Sequence, residues 1–125
     1  EDPGPVPLPD YQGGSVVNLM SSLIRGLGGE APLHPPLRSL PPEEVAEHAR
    51  AVLLVIDGLG HDWLRAQAPD SLLADSLRDR LTSVFPSTTA TAVTTFLTGD
   101  APQQHGLTGW HMYLRELGTV RAFAP

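Results

Sequence analysis

The chain contains no cysteine and no lysine. Without cysteine it has no disulfide and no thiolate ligand, so a metal ion would have to be held by Asp, Glu, His or hydroxyl oxygens. The eight basic residues are all arginines scattered along a chain whose net charge is −6. A nucleic-acid-binding face normally needs clustered basic residues, so this charge pattern argues against nucleic acid as a partner.

Long apolar runs are also missing. No run approaches the roughly 20 residues that cross a bilayer, and the chain does not open on a basic and then apolar signal sequence. We therefore expect no membrane segment and a soluble protein, with the cytoplasm slightly favoured over secretion and the compartment otherwise unknown. With 125 residues, of which 41% are hydrophobic, the chain has the size and the apolar content of one compact unit.

Proline and glycine divide the N-terminal part of the chain. Residues 1–14 are rich in both, which predicts an extended arm, and we assign 15–125 to the domain itself. Apolar residues recur in helical spacing over Val16–Leu27, which predicts a helix. After a proline-rich connector, Pro42 and two glutamates predict a second helix to about Arg50.

The middle of the chain reads as strand, helix and strand. Ala51–Ile56 is a short apolar run rich in β-branched residues, which is typical of a strand buried on both faces of a parallel sheet. Helical segments are predicted at His61–Ala68 and Ser71–Arg80, and a second strand at Leu81–Phe85. This order indicates an α/β fold with a mostly parallel sheet flanked by helices.

The C-terminal part adds little regular structure. Trp110–Gly118 fits a short amphipathic helix or strand, and another strand can begin at Val120. A parallel sheet with only two or three strands looks incomplete. We therefore expect this chain to be the N-terminal portion of a larger domain.

Candidate site residues follow the two predicted strands. Asp57 comes directly after the first, and Ser87, Thr88 and Thr89 come after the second, at the start of a helix-compatible run. Both places lie at the carboxyl edge of a parallel sheet, where α/β proteins bind ligands. A helix N-terminus there suits an oxyanion or a phosphate. The simpler alternatives are an Asp-Gly turn for Asp57 and helix capping for the hydroxyls.

The chemistry of these residues suits metal-assisted hydrolysis. A carboxylate can hold a divalent cation, and that cation can lower the pKa of a nearby Thr hydroxyl enough for it to attack. His61, His105 and His111 lack the spacing of a ligand pair, so they are more simply surface or hydrogen-bonded residues. Trp110 and its neighbours are more simply core or pocket wall than a cofactor stack.

Three segments, in order, resemble the type I phosphodiesterase and nucleotide pyrophosphatase branch of the alkaline phosphatase superfamily. That branch has an Asp-Gly after a hydrophobic strand, a segment of the form VFPTKTFPNHYSIVTG and a loop of the form LYPESHGI. The equivalents here are VIDG at Val55–Gly58, VFPSTTATAVTTFLTG at Val84–Gly99, and DAPQQHGL at Asp100–Leu107. The resemblance implies an alkaline-phosphatase-like fold.

The resemblance also assigns roles to individual residues. It places the catalytic nucleophile on Thr89, with Thr88 as the second candidate and Ser87 as the helix cap. It makes Asp57 and Thr89 ligands of a site for two divalent metal ions, usually zinc. The family position that contacts phosphate falls on Trp110, and together with Thr88 it is our candidate for substrate binding.

The family pattern departs after the nucleophile. Its second proline and its Asn-His pair are replaced by Thr91, Ala92 and Val93. The remaining Asp and His metal ligands of the superfamily fall beyond the residues present here, so we expect them in a longer chain or in a second chain. His105 matches a position that is mainly structural.

The sequence therefore predicts a metal-dependent phosphoester hydrolase with a Thr nucleophile, acting on a small phosphate ester. It can be a phosphodiesterase, a nucleotide pyrophosphatase or a phosphatase, with sulfatase or mutase chemistry a weaker option. The alternative from another class is a truncated α/β module that binds an anion or a partner chain without catalysis.

Overall fold

The computed structural model describes residues 7–30 and 32–122. These residues form a small α/β chain with helices and one two-stranded antiparallel sheet. No helix in this part of the chain has the length and the apolar content that crossing a membrane requires. In chain order the elements are α1 (Val16–Gly26), α2 (Pro42–Ala46), α3 (His61–Gln67), α4 (Leu72–Asp75), α5 (Thr89–Thr98), α6 (Pro102–His105), β1 (His111–Leu114) and β2 (Thr119–Ala122).

Helix α1 is held at its start by one buried side chain. The Asn18 side-chain oxygen accepts a hydrogen bond from the Ser15 N–H at 3.0 Å. Its amide nitrogen donates to the carbonyls of Tyr11 at 2.9 Å and Pro35 at 2.8 Å. Asn18 is fully buried, and these partners satisfy it there. Asn18 therefore connects the start of α1 to the segment before the helix and to the connector after it.

The buried face of α1 differs from the apolar stripe in its sequence. Ser21 donates its hydroxyl to the His34 carbonyl at 2.8 Å, and Ser22 accepts the Leu37 N–H at 2.8 Å. A proline-rich connector forms few hydrogen bonds of its own, so polar helix side chains that pair with its backbone can be buried. The fully buried residues of α1 are Val17, Asn18, Ser21 and Ser22.

A single parallel bridge joins the N-terminal part of the chain to the segment before α5. The Val16 N–H donates to the Thr82 carbonyl at 3.0 Å, and the Thr82 N–H donates to the Gly14 carbonyl at 2.9 Å. The Asp10 N–H donates to the Thr82 hydroxyl at 2.8 Å. This pairing brings the segment that leads to α5 against α1, where a small buried core forms from Val17, Val84 and Ala101.

The predicted parallel sheet is not formed among the described residues. Neither Ala51–Ile56 nor Leu81–Phe85 is a strand there, apart from the isolated bridge at Thr82. Side chains from Val52 to Ile56 are between 42% and 95% exposed. A strand requires a hydrogen-bonded neighbour, and no backbone hydrogen bond reaches Ala51–Ile56 from this part of the chain. The apolar run that predicts a strand is present in the sequence, but no neighbouring strand pairs with it among the described residues.

Other predicted elements form with different bounds. The helix predicted from Pro42 ends at Ala46, and the one predicted over Ser71–Arg80 is the single turn α4. The segment predicted as a helix or strand from Trp110 is the hairpin of β1 and β2, with His111 opposite Ala122. Residues 1–6 of the predicted arm, and the last three residues of the chain, lie outside the described residues.

Candidate active site at the start of helix α5

Helix α5 begins directly after the three consecutive hydroxyl residues. Thr88 is its N-cap, with extended backbone angles of φ −90° and ψ 152°, and its hydroxyl oxygen accepts the Thr91 N–H. Ser87 is exposed and lies one residue before the cap. The prediction that Ser87 caps the helix is therefore wrong, because the helix starts one residue later than that assignment requires.

The structure brings Asp57 and Thr89 together. The Thr89 hydroxyl donates a hydrogen bond to Asp57 Oδ2 at 3.1 Å, across 32 residues of sequence. Thr89 is the first residue of α5 and is partly exposed, and Asp57 is exposed. Gly58 has φ +75°, so the Asp-Gly turn forms as well. The turn and the contact with Thr89 are compatible, because the turn aims the carboxylate at the helix start.

The N-terminus of α5 favours negative charge. Unpaired N–H groups and the helix dipole give the first turn a partial positive charge. The Asp57 carboxylate lies beside that turn through its bond to Thr89, and an incoming anion would experience the same field. A cleft of about 550 Å³ has Arg80, Phe85 and Ser87 among its lining residues, and Asp57, Thr88 and Thr89 do not line it. The arrangement combines a hydroxyl, a carboxylate and an electropositive helix end.

His105 is engaged through both ring nitrogens. Its Nδ1 accepts the Leu107 N–H at 3.0 Å, which leaves Nε2 to carry the proton and donate to the Thr95 hydroxyl at 3.3 Å. Burial lowers the pKa of His105, and the nearby Asp100 carboxylate opposes that shift only in part. As a neutral side chain, His105 therefore connects the loop after α6 to α5 through these two hydrogen bonds.

Three other residues singled out in the sequence form no hydrogen bond with this pair in the part of the chain that the structure describes. Trp110 precedes β1 and is 38% exposed. Within the described residues no hydrogen bond joins it to Asp57 or Thr89. His61 pairs through Nδ1 with Asp62 at 2.7 Å, and His111 is an exposed residue of β1.

The described residues do not complete a metal site. Asp57 and Thr89 are only two residues and offer at most three side-chain oxygen atoms, whereas zinc usually takes four ligands. No group of three or more His, Asp or Glu side chains that could hold an ion comes together in residues 7–30 and 32–122.

Sequence reasoning missed the role of Thr91. It was noted only as a departure from the family pattern, although a hydroxyl three residues after an N-cap is well placed to contact that cap. In the structure it is fully buried and pairs with Thr88.

The fold and this pair of side chains define a class: a small α/β chain that presents a hydroxyl and a carboxylate at a helix N-terminus. The family model of type I phosphodiesterase / nucleotide pyrophosphatase matches residues 51–125. The chain therefore belongs to this family, whose members are in general phosphoric ester hydrolases and typically depend on metal ions. The match includes both Asp57 and Thr89. Neither the curated proteins nor the solved structures contain a match to the chain.

Proposed function

We propose that this protein hydrolyses phosphoric esters and that Thr89 is the nucleophile. The observation that carries the proposal is the 3.1 Å hydrogen bond from the Thr89 hydroxyl to Asp57, at the first residue of α5. A nucleophile needs a partner that orients its lone pair, and a phosphoryl group needs hydrogen-bond donors for its charged oxygens. This position supplies the first through Asp57 and the second through the start of the helix.

The proposed reaction has two steps. In the first, the Thr89 oxygen forms a bond to phosphorus, the bond from phosphorus to the leaving oxygen breaks, and the leaving group departs with that electron pair. Asp57 accepts the hydrogen bond from Thr89, takes up the hydroxyl proton as the new bond forms, and passes it to the leaving oxygen. In the second step a water oxygen attacks the phosphorus, the bond from phosphorus to the Thr89 oxygen breaks, and a proton from the water restores the Thr89 hydroxyl. The helix N-terminus stabilises the oxygens that carry charge in both steps.

Metal dependence is part of the same proposal. We assign Asp57 and Thr89 as two ligands of a site for two zinc ions, with the other ligands outside the described residues. A bound divalent ion would lower the pKa of the Thr89 hydroxyl and neutralise charge on the phosphoryl oxygens.

Thr88 and Trp110 are the proposed substrate-binding residues. Thr88 is next to the nucleophile and partly exposed, so its hydroxyl is within reach of a phosphoryl group on Thr89. Trp110 is partly exposed, which leaves an apolar face for the rest of a substrate.

We also propose that Ala51–Ile56 becomes a strand of an alkaline-phosphatase-like parallel sheet in the full-length polypeptide. Its apolar side chains are exposed and its backbone lacks hydrogen-bond partners among the described residues. Exposed apolar side chains are costly in water, and an unpaired backbone edge is free to pair with a neighbouring strand. A strand there would fix Asp57 at its carboxyl end.

Replacing Thr89 tests the assignment of the nucleophile. Thr89→Ala in the full-length polypeptide should reduce hydrolysis of a p-nitrophenyl phosphate ester by at least about a thousandfold, as removal of a covalent nucleophile does elsewhere. Thr89→Ser, which keeps a hydroxyl, should retain measurable activity. Mass spectrometry of acid-quenched enzyme should find a phosphoryl group on Thr89.

Two controls accompany this experiment. Ser87→Ala removes a neighbouring exposed hydroxyl and should leave the rate within about twofold of wild type, since surface changes are usually mild. Metal content should fall less in Thr89→Ala, which removes a neutral hydroxyl ligand, than in Asp57→Asn, which removes a charged carboxylate ligand. Retained hydrolysis in Thr89→Ala, with its loss in Thr88→Ala, would move the nucleophile to Thr88. Phosphate binding without turnover in the wild type would instead indicate the non-catalytic module.

A further inference from the structure

Thr88 and Thr91 form a hydroxyl pair at the start of α5. Their Oγ1 atoms lie 2.9 Å apart, and the Thr91 N–H also donates to Thr88 Oγ1 at 3.4 Å. Thr91 is fully buried, whereas Thr88 is partly exposed. The buried residue therefore contacts the exposed one through both its backbone and its side chain.

Burial decides which hydroxyl donates. Thr88 Oγ1 is the one hydrogen-bond partner of Thr91 Oγ1 within the described part of the chain. If Thr88 were the donor, the Thr91 proton would be buried without an acceptor, which is a costly arrangement. Thr91 therefore donates, and Thr88 Oγ1 accepts both from the hydroxyl and from the N–H of Thr91. A hydroxyl oxygen has two lone pairs, so these two bonds occupy its acceptor capacity.

The consequence concerns the Thr88 proton. With both lone pairs directed at Thr91, the Thr88 hydroxyl can interact with another group only as a donor. It is the residue before Thr89, at the electropositive end of α5. A donor with no competing acceptor role is what an anionic oxygen requires, whereas a freely rotating hydroxyl would also present its lone pairs.

We propose that Thr91 is a positioning residue that fixes the Thr88 hydroxyl as a hydrogen-bond donor for a phosphoryl oxygen. This inference rests on the proposed function for the identity of the anion. Thr91 itself touches no substrate, and it acts by filling the acceptor sites of Thr88. Because the Thr88 hydroxyl can then only donate, the subsite favours ionised phosphoryl oxygens over neutral groups that would donate a hydrogen bond themselves.

Thr95 provides a matched control one turn along the same helix. It is also fully buried and also a threonine, but its hydroxyl pairs with His105 and not with the N-cap. A Thr→Val change at either position keeps the side-chain shape and removes one buried hydroxyl. If the change acts only by weakening the helix, Thr91→Val and Thr95→Val should have similar effects. If it acts through the Thr88 hydroxyl, only Thr91→Val should have an effect.

The test measures binding of inorganic phosphate by calorimetry in the full-length polypeptide. Thr91→Val should weaken phosphate about fivefold, which is less than the tenfold or more expected for a hydrogen bond to a charged group that is lost completely, because the Thr88 hydroxyl remains and only its orientation is released. Thr91→Ser should restore the affinity, and Thr95→Val should leave it within about twofold of wild type. In hydrolysis assays Thr91→Val should raise KM more than it lowers kcat.

Several results would overturn the proposal: wild-type phosphate affinity in Thr91→Val, an equal loss in Thr95→Val, or no phosphate binding by the wild type. Should Thr91→Val fail to fold, Thr88→Val removes the donor directly and must weaken phosphate at least as much. Failure of the proposed function is recognised separately, because phosphate binding would then depend on Thr91 in a protein that hydrolyses no ester.

Discussion

At the scale of single residues, Ser87, Thr88 and Thr89 carry the same functional group in different surroundings. Ser87 is exposed, Thr88 caps α5, and Thr89 donates to Asp57 at 3.1 Å. Sequence alone left all three open as nucleophiles, and the family register selected Thr89. The exact start of the helix separates them, and it depends on backbone angles that composition does not determine.

His105 predicts a pH dependence of stability. In the unfolded chain the imidazole of His105 takes up its proton as the pH falls through its usual pKa of 6.5. In the folded chain burial lowers that pKa, so protonation needs a lower pH. Between these two values the unfolded state binds more protons, so the free energy of unfolding should fall as the pH drops below about 6.5. Protonation would also break the bond in which Nδ1 accepts the Leu107 N–H.

Urea unfolding at a series of pH values from about 8 to about 5 tests this expectation, because that range spans the usual histidine pKa of 6.5. His105→Asn has no titrating ring and should lose less stability than wild type over the acidic half of that series. The difference between the two proteins isolates the histidine from the carboxylates, which titrate in both. Parallel pH profiles would show that His105 makes no contribution.

At the scale of elements, the contact between α1 and α2 depends on a glycine. A Cβ at residue 26 would lie 2.5 Å from the Val45 Cβ and 2.6 Å from the Pro42 carbonyl oxygen. Val45 is the buried residue of α2. The absence of a side chain at Gly26 therefore lets the two helices approach closely.

Gly26→Ala should destabilise the fold although alanine is the better helix former. The gain in helix propensity is about 1 kcal/mol, but the clash involves a backbone oxygen that cannot turn away. Overpacking typically costs about 1–3 kcal/mol. The contacts of 2.5 Å and 2.6 Å place the cost near the top of that range, so we expect a net loss of about 2 kcal/mol in urea unfolding.

Gly109→Ala is the matched control. A Cβ there would meet no atom within 4 Å, and Gly109 is not among the glycines with positive φ. Its stability should stay within about 0.5 kcal/mol of wild type. A stabilised Gly26→Ala protein would mean that α1 and α2 can separate at little cost.

At the scale of the whole molecule, the family match and the buried core cover different parts of the chain. The match begins at residue 51, whereas Val17 and the parallel bridge at Ser15 belong to the preceding segment. The N-terminal segment therefore helps to hold Val84 and the approach to α5 in place. The matched segment contributes Asp57 and Thr89, and also the exposed run Ala51–Ile56.

Val52→Lys tests the proposal that this run becomes a strand in a full-length polypeptide longer than these 125 residues. Val52 is 95% exposed, so in the 125-residue chain the lysine should change stability by no more than about 0.5 kcal/mol. In the full-length polypeptide a lysine in a buried parallel strand should cost several kcal/mol, since a charge would be removed from water.

Thermal unfolding of both proteins, each with and without the substitution, gives the comparison. Arg50→Lys, a change of one basic residue for another just before the run, serves as the control and should be mild in both. A Val52→Lys change that is equally mild in the full-length polypeptide would argue against a buried strand at this position.

Local patterns in the sequence were sufficient for several features. Helical periodicity placed α1 within one residue of its observed end, and the spacing of motifs indicated the family and the residues Asp57 and Thr89. The helix depends on the local propensities of its residues, and the family match depends on the order and spacing of residue types along the chain. Both can be read directly from the sequence. The sequence by itself thus determined the family and the candidate pair.

The tertiary structure decided which hydroxyl caps α5, that Asp57 reaches Thr89, and that Thr91 supports Thr88. It also showed a polar buried face on α1 and no partner for Ala51–Ile56 among the described residues. These outcomes depend on contacts between distant segments. A strand needs a neighbour and a buried hydroxyl needs an acceptor, so neither can be read from one segment alone.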